Sequence, residues 1–274
     1  MSGLGPSDLQ STMATLTTHV LDVSRGQPAS GIEVEVFRLL RDQREFITRA
    51  VTNANGRCRE PLLSRDSAEP GTYLIEFHLK QYFGTPGLLG IVPVEINLLD
   101  VHSHYHVPLV IAPGGYSTYR GAPPHRAPDD QGMWNVRAAR AEEPAVSQVA
   151  PLPGTTGPGL TVHVIDVAQG CGAAGLRVEV IYIGEGWNTA PVLVCATNAE
   201  GRTHPWLVEP GALRAGTYEL IFDTGDYFLA AGFPVGASQF FPRARVRVDV
   251  TDPRTHWHIP LIVSPWGYSC YRGS

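Results

Sequence analysis

One set of polar residues occurs twice along this chain, in the same order and setting: His19, Arg57 and His106, then His163, Arg202 and His258. His19 and His163 sit inside β-branched, apolar segments, Leu16-Thr-Thr-His19-Val-Leu-Asp22 and Leu160-Thr-Val-His163-Val-Ile-Asp166. Valine would fill a sandwich core better than imidazole at that place. Arg57 and Arg202 each follow an Asn-x-x-Gly turn, and His106 and His258 each stand two residues before a proline. His104 and His256 lie two positions earlier and so on the same face of a strand, and His102 extends that row in the first copy alone. A neutral imidazole titrates near pH 7 and can take a proton from water during attack. Arginine adds a fixed charge and a planar fork for a carbonyl or an oxyanion. Alternating histidines also suit a zinc or copper ion, but no Cys/His pair or carboxylate completes that set in both copies. A lone strand histidine or turn arginine is ordinarily a packed or solvated residue; the recurrence of the whole set argues for function.

Several other chemistries lack their signatures. The chain has no Gly-x-Ser-x-Gly elbow, Walker loop, Gly-x-Gly-x-x-Gly or His-Glu-x-x-His. Cys58 answers Thr203 and Cys270 answers Thr118 between the copies, so no cysteine–histidine nucleophile recurs. Water is the expected nucleophile. A neutral histidine base with an ordinary pKa would lose activity below roughly pH 6.

The elements that must position these residues read as strands. Residues 32–37 and 176–181 alternate with period two, as half-buried strands do. Residues 45–51, 72–77, 102–111 and 116–120 continue the pattern in the first copy; 191–197, 217–222, 243–250, 255–263 and 268–272 continue it in the second. Only residues 225–231 look helical. The expectation is all-β: two tandem antiparallel β-sandwich domains, 16–121 and 160–274, each with at most one short helix. Residues 1–15 read as a disordered leader. Residues 122–159 carry seven prolines and several glycines and read as an irregular linker, with a short helical turn near 134–143. The repeat is far longer than a solenoid unit of roughly 20–50 residues, so it is a duplicated domain.

Composition narrows the rest. A net charge of −5 without a basic cluster gives no footprint for nucleic acid, and no apolar run reaches the ~20 residues that span a bilayer. The four cysteines form no C-x-x-C pair and are expected to be reduced thiols. With no secretory signal at the start, the expected location is the cytoplasm.

The motifs together carry a resemblance. Thr161-Val-His163-Val, Gly201-Arg202, His256-Trp-His258-Ile-Pro260 and the closing Ser264-Pro-Trp-Gly-Tyr-Ser-Cys-Tyr-Arg-Gly-Ser274 resemble the transthyretin-related 5-hydroxyisourate hydrolases of urate breakdown, as do residues 16–121. Hormone-carrying transthyretin shares that fold but lacks the His, Arg, His set and the Tyr-Arg-Gly-Ser ending. The resemblance implies transthyretin-like sandwiches and hydrolysis of 5-hydroxyisourate to 2-oxo-4-hydroxy-4-carboxy-5-ureidoimidazoline, without cofactor or metal. It implies catalysis by His163, Arg202 and His258 and by His19, Arg57 and His106. Tyr271, Arg272 and Ser274 would line the second site, and Tyr119 and Arg120 the first, where Ala122 replaces the serine. Family members are tetramers with clefts between facing subunits, so a homodimer of this tandem chain is expected. Two other readings are a transthyretin-type small-ligand carrier without turnover and a structural pair whose histidines hold metal.

Overall fold

The structure, a computed structural model, describes residues 14–41, 43–64, 66–84, 90–100, 103–121, 159–183, 189–203 and 206–273. Residues 1–13 of the leader, almost all of the linker, the turn expected near 134–143, His102, Ala122 and Ser274 lie outside the described residues, while Ala14 and Thr15, expected in the leader, open the first strand. In the first copy the strands are β1 (Ala14–Asp22), β2 (Gln27–Pro28), β3 (Glu33–Leu39), β4 (Arg44–Val51), β5 (Leu63–Ser64), β6 (Gly71–His78), β7 (Ile91–Leu98), β8 (Tyr105–Ala112) and β9 (Gly115–Tyr119), with helix α1 (Lys80–Phe83) before β7. The second copy holds β10 (Leu160–Asp166), β11 (Cys171–Gly172), β12 (Arg177–Ile183), β13 (Thr189–Ala196), β14 (Gly216–Phe222), β15 (Ala244–Val250), β16 (Trp257–Ser264) and β17 (Gly267–Tyr271). Helices α2 (Thr224–Ala230) and α3 (Val235–Ser238) precede β15. The second copy thus carries one short helix more than its sequence suggested: Pro234, with φ fixed at −58°, starts a single turn that has no periodicity to announce it.

Each copy packs an outer four-stranded sheet, ordered β4-β3-β6-β7 or β13-β12-β14-β15, against its share of one nine-stranded inner sheet. Alternation decides what faces inward. In β16, Trp257, Ile259, Leu261 and Val263 are buried, while His258 and Ile262 take the opposite face. Hairpins and meanders give antiparallel pairs, but β1 pairs with β8, and β10 with β16, in parallel. These partners are joined through the whole domain rather than by a tight turn, which frees their relative direction.

The two copies meet edge to edge. β9 and β17 pair antiparallel, with Ser117 opposite Ser269 and Tyr116 opposite Cys270, so the inner sheet runs unbroken through both copies. The Ser117 and Ser269 hydroxyls lie 2.6 Å apart on its outward face. Behind them Tyr116 and Tyr268 are buried edge to face, 6.0 Å between ring centres. On the outer sheets an alternating chain of charge crosses the seam. Glu95 bonds Arg243 at 2.8 Å and Arg245 at 2.6 Å; Arg245 reaches Glu219 at 3.0 Å; Arg247 joins Glu219 at 2.9 Å to Glu76 at 3.0 Å. The first copy supplies Glu76 and Glu95, and the second supplies the three arginines. Two identical copies meeting here would set like charges against each other, which low-dielectric surroundings punish.

The side chain of Glu95 is 1% exposed, so it is the most sensitive member of the chain. Glu95→Gln keeps the shape and removes the charge that balances Arg245, and breaking a buried pair of this kind costs about 3 kcal/mol. Urea unfolding should show that loss; an unchanged midpoint would contradict the assignment of the seam to this network.

Candidate active site

Parallel pairing places the recurring residues side by side. Thr17 stands opposite His106 and His19 opposite Pro108 in the β1–β8 pair. Thr161 stands opposite His258 and His163 opposite Pro260 in the β10–β16 pair. All project from the outward face of the nine-stranded sheet, because their strand neighbours Leu16, Val20, Val107 and Leu109, and Leu160, Val162, Val164, Ile259 and Leu261, fill the core.

The arginine arrives on a turn docked to the same strand. Asn53 Oδ1 accepts from the backbone N–H of Asn55 and Arg57, and Asn198 Oδ1 from that of Glu200 and Arg202. Val20 N–H then bonds Gly56 O, and Val164 N–H bonds Gly201 O, each at 2.8 Å. That brings Arg57 against His19 and Arg202 against His163 as isolated bridges. Gly56 and Gly201 sit at φ 69° and 76°, and a Cβ on either would lie 2.3 or 2.0 Å from the carbonyl of Val20 or Val164. Only glycine makes this turn. A second close approach holds the other histidine: Gly121 and Gly273 donate to the carbonyls of His106 and His258, and a Cβ there would meet the ring Cδ2 at 2.6 Å.

The histidines are neutral over a wide pH range. Burial, then Arg57, His104 and His19, push His106 down to about 4, and burial, Arg202, His256 and His163 do the same to His258. Burial first and then the arginine lower His19 and His163. His104 and His256 are lowered by burial alone. The ordinary imidazole value behind the expected loss below roughly pH 6 is therefore corrected: burial, and then the fixed guanidinium, hold the neutral form to lower pH. His19 and His163 also hydrogen-bond the backbone at Asn55 and Glu200, and Nε2 of His19 is buried with no hydrogen-bond partner among the described residues.

Two residues escaped the sequence reading. Thr17 Oγ1 lies 3.0 Å from both His104 Nε2 and His106 Nδ1. Thr161 Oγ1 lies 2.8 Å from His256 Nε2 and 2.9 Å from His258 Nδ1. Their signal was period two: each threonine precedes the strand histidine by two residues and shares its face.

The flanking residues separate into two kinds. Tyr119 and Tyr271, 45% and 43% exposed, lie at the ends of the seam strands. The guanidinium of Arg120 is instead packed over Tyr105, Phe240 and Trp266, at 5.0–5.3 Å from the ring centres. That of Arg272 stacks on Trp257 at 4.0 Å. Both arginines are engaged with aromatic rings rather than with the histidines. Burial pushes Cys58, next to Arg57, up to about 11, which keeps it a thiol. Among the described residues the only group spaced like three metal ligands is Glu33, Glu35 and His78, outside the histidine sets, and Glu35 there already bonds Arg49 and His78.

What this arrangement can do is take a proton from water while a fixed cation faces the polarised oxygen. Comparison with known proteins gives it a family. A protein of Halalkalibacterium halodurans named 5-hydroxyisourate hydrolase is 46% identical over 115 residues, 39% of this chain and 97% of its own length. A Deinococcus radiodurans protein of the same name is 46% identical over 113 residues, 39% of this chain and 95% of its own. Among solved structures, Klebsiella pneumoniae 5-hydroxyisourate hydrolase is 34% identical over 42% of this chain and 98% of its own, with a TM-score of 0.35. The model of the HIUase/Transthyretin family matches residues 16–121 and again 160–273, and the chain belongs to that family, in two tandem copies.

Proposed function

We propose that this protein is a 5-hydroxyisourate hydrolase that opens a cyclic amide by attack of water. The observation that carries the reading is the neutral His, fixed Arg, neutral His grouping, complete in both copies on one sheet face. The relatives named for this hydrolysis favour turnover over carriage of a small ligand.

The geometry supports a division of labour. His258 and His106 act as general base through Nε2, the nitrogen their threonine contacts leave free. His163 and His19 orient water or substrate. Arg202 and Arg57 hold the substrate and meet the charge that grows on the carbonyl oxygen. Base and oxyanion contributions of this kind are each worth about 10²–10⁴-fold. Tyr271 and Tyr119 line the substrate. Arg272 and Arg120 serve it from their aromatic stacks, and Ser274 completes the second site.

Two chains facing through their inner sheets would give four domains and close the clefts. The exposed Tyr119 and Tyr271 support such a homodimer. A cytoplasmic location belongs to the same reading; no helix among the described residues is long and apolar enough to cross a membrane.

Decay of freshly made 5-hydroxyisourate, followed by ultraviolet absorbance, tests the activity. The wild-type chain should accelerate it, and His163→Ala with His258→Ala should remove at least half of the acceleration, the remainder coming from the first copy. No acceleration by wild type would sink the hydrolase reading and leave a binding protein. The pH profile tests the base. A lowered pKa keeps the base neutral and active until pH falls through the folded value, so kcat/KM should stay level from pH 8 to 5.5 and halve near 4. A limb at the ordinary 6.5 would contradict a base held beside Arg202.

A further inference from the structure

The two histidines at i and i+2 are joined by a hydroxyl in both copies, and the hydrolase reading uses only the side of that contact that faces His258 and His106. Thr161 Oγ1 touches Nε2 of His256 at 2.8 Å and Nδ1 of His258 at 2.9 Å, and Thr17 Oγ1 touches His104 and His106 at 3.0 Å each. A hydroxyl has one proton, so while it donates to one ring it accepts from the other. Two arrangements satisfy the hydroxyl and the two ring nitrogens that touch it, while Nδ1 of His104 in the first copy is buried with no hydrogen-bond partner among the described residues. In one, His258 donates Nδ1–H to Thr161, and Thr161 donates to a bare Nε2 of His256. In the other every donor is reversed, and His258 presents Nε2–H to the cleft, where it could not act as a base.

We propose that Thr161, and Thr17 in the first copy, is a positioning residue that locks His258 and His106 in the Nδ1–H form and relays the proton they collect to His256 and His104. This rests on His258 and His106 being the bases. As water attacks, an electron pair of its oxygen forms the C–O bond, the carbonyl π pair moves to oxygen, and one water proton forms a bond to His258 Nε2. The His258 Nδ1–H bond breaks as Thr161 Oγ1 gains that proton, and the Thr161 O–H bond breaks as His256 Nε2 gains the other. One proton has then moved from water to His256, and Thr161 is again a hydroxyl. As the intermediate collapses, the oxyanion pair re-forms the carbonyl, the C–N bond breaks with its electron pair left on nitrogen, and the proton returns from His256 through Thr161 and His258 to that nitrogen.

The electrostatics favour that direction. The groups that bear on His258 are Arg202 from the turn after β13, His163 from β10, His256 just before β16 and the Thr161 backbone, whose hydrogen bond favours the charged ring, and Glu200 acts on His163. A cation on His258 is opposed by burial and by Arg202, whereas on His256 it is opposed by burial alone. Passing the charge outward makes a weak base serviceable at neutral pH.

The test uses the full chain labelled with 15N-histidine, without substrate, comparing Thr17→Val plus Thr161→Val with Thr17→Ser plus Thr161→Ser. Two-bond 1H–15N couplings report which ring nitrogen carries the proton. The expected result is Nδ1–H on His106 and His258 in wild type, a shift to Nε2–H in the valine pair, and recovery in the serine pair. Nε2–H in wild type, or no change with valine, would overturn the proposal. In the decay assay the valine pair should lose about tenfold or more in kcat with KM within about twofold, and the serine pair should stay within about threefold of wild type. Equal losses in the two pairs would mean the methyl group matters and the hydroxyl does not, which also overturns it. A wild-type chain that leaves 5-hydroxyisourate decay unchanged defeats the hydrolase reading separately, and the couplings still decide the tautomer claim.

Discussion

A permanent guanidinium beside a cluster of imidazoles is the constraint around which each copy is built. Burial disfavours charge on the neighbouring histidines first, and Arg57 and Arg202, which cannot lose their own charge, add to that demand. The rest of the local structure serves that contact. The Asn-x-x-Gly turn can deliver the arginine only with glycine at 56 and 201, and the parallel register brings Thr17 and Thr161 under the second histidine. The glycines at 121 and 273 leave room for the ring that a β-carbon would displace. A site with two neutral imidazoles and one fixed cation follows from those few steric permissions.

The duplication adds a second level. Pairing of β9 with β17 makes one inner sheet, so both sets of residues share a single outward face. The seam itself is unsymmetrical. Carboxylates of the first copy meet arginines of the second across the outer sheets, and Phe240, which follows α3 of the second copy, stacks on Tyr105 of the first with ring centres 5.9 Å apart. The halves have kept the same polar set while diverging where they touch. That combination fits a chain in which pairing of unlike halves has replaced association of identical ones.

Much of this was legible in the residues. Period-two alternation gave the strands, the repeat gave the duplicated domain, and His, Arg and His stood out because apolar strands seldom need them. What escaped depended on partners far away in sequence. Thr17 and Thr161 look like ordinary β-branched strand residues until the parallel register sets each beneath two histidines. Arg120 and Arg272 read as substrate contacts from their position in the closing motif, and that position did not show the aromatic rings that engage them, two of those on Arg120 coming from the other copy. The ordinary imidazole pKa was a fair starting value; sequence spacing shows neither the burial that lowers it most nor the return of Arg57 and Arg202 onto the histidines. Neither could alternation alone show that Glu76 and Glu95 would be buried against arginines of the other copy.

The central claim is that the arginine and burial keep the second histidine of each set neutral, and titration of the histidine side chains by 15N NMR tests it most directly. His106 and His258 should titrate near 4 in the intact chain, and Arg57→Met with Arg202→Met should move both upward toward the ordinary range. Wild-type titration at about 6.5, unchanged when the arginines are removed, would contradict the account.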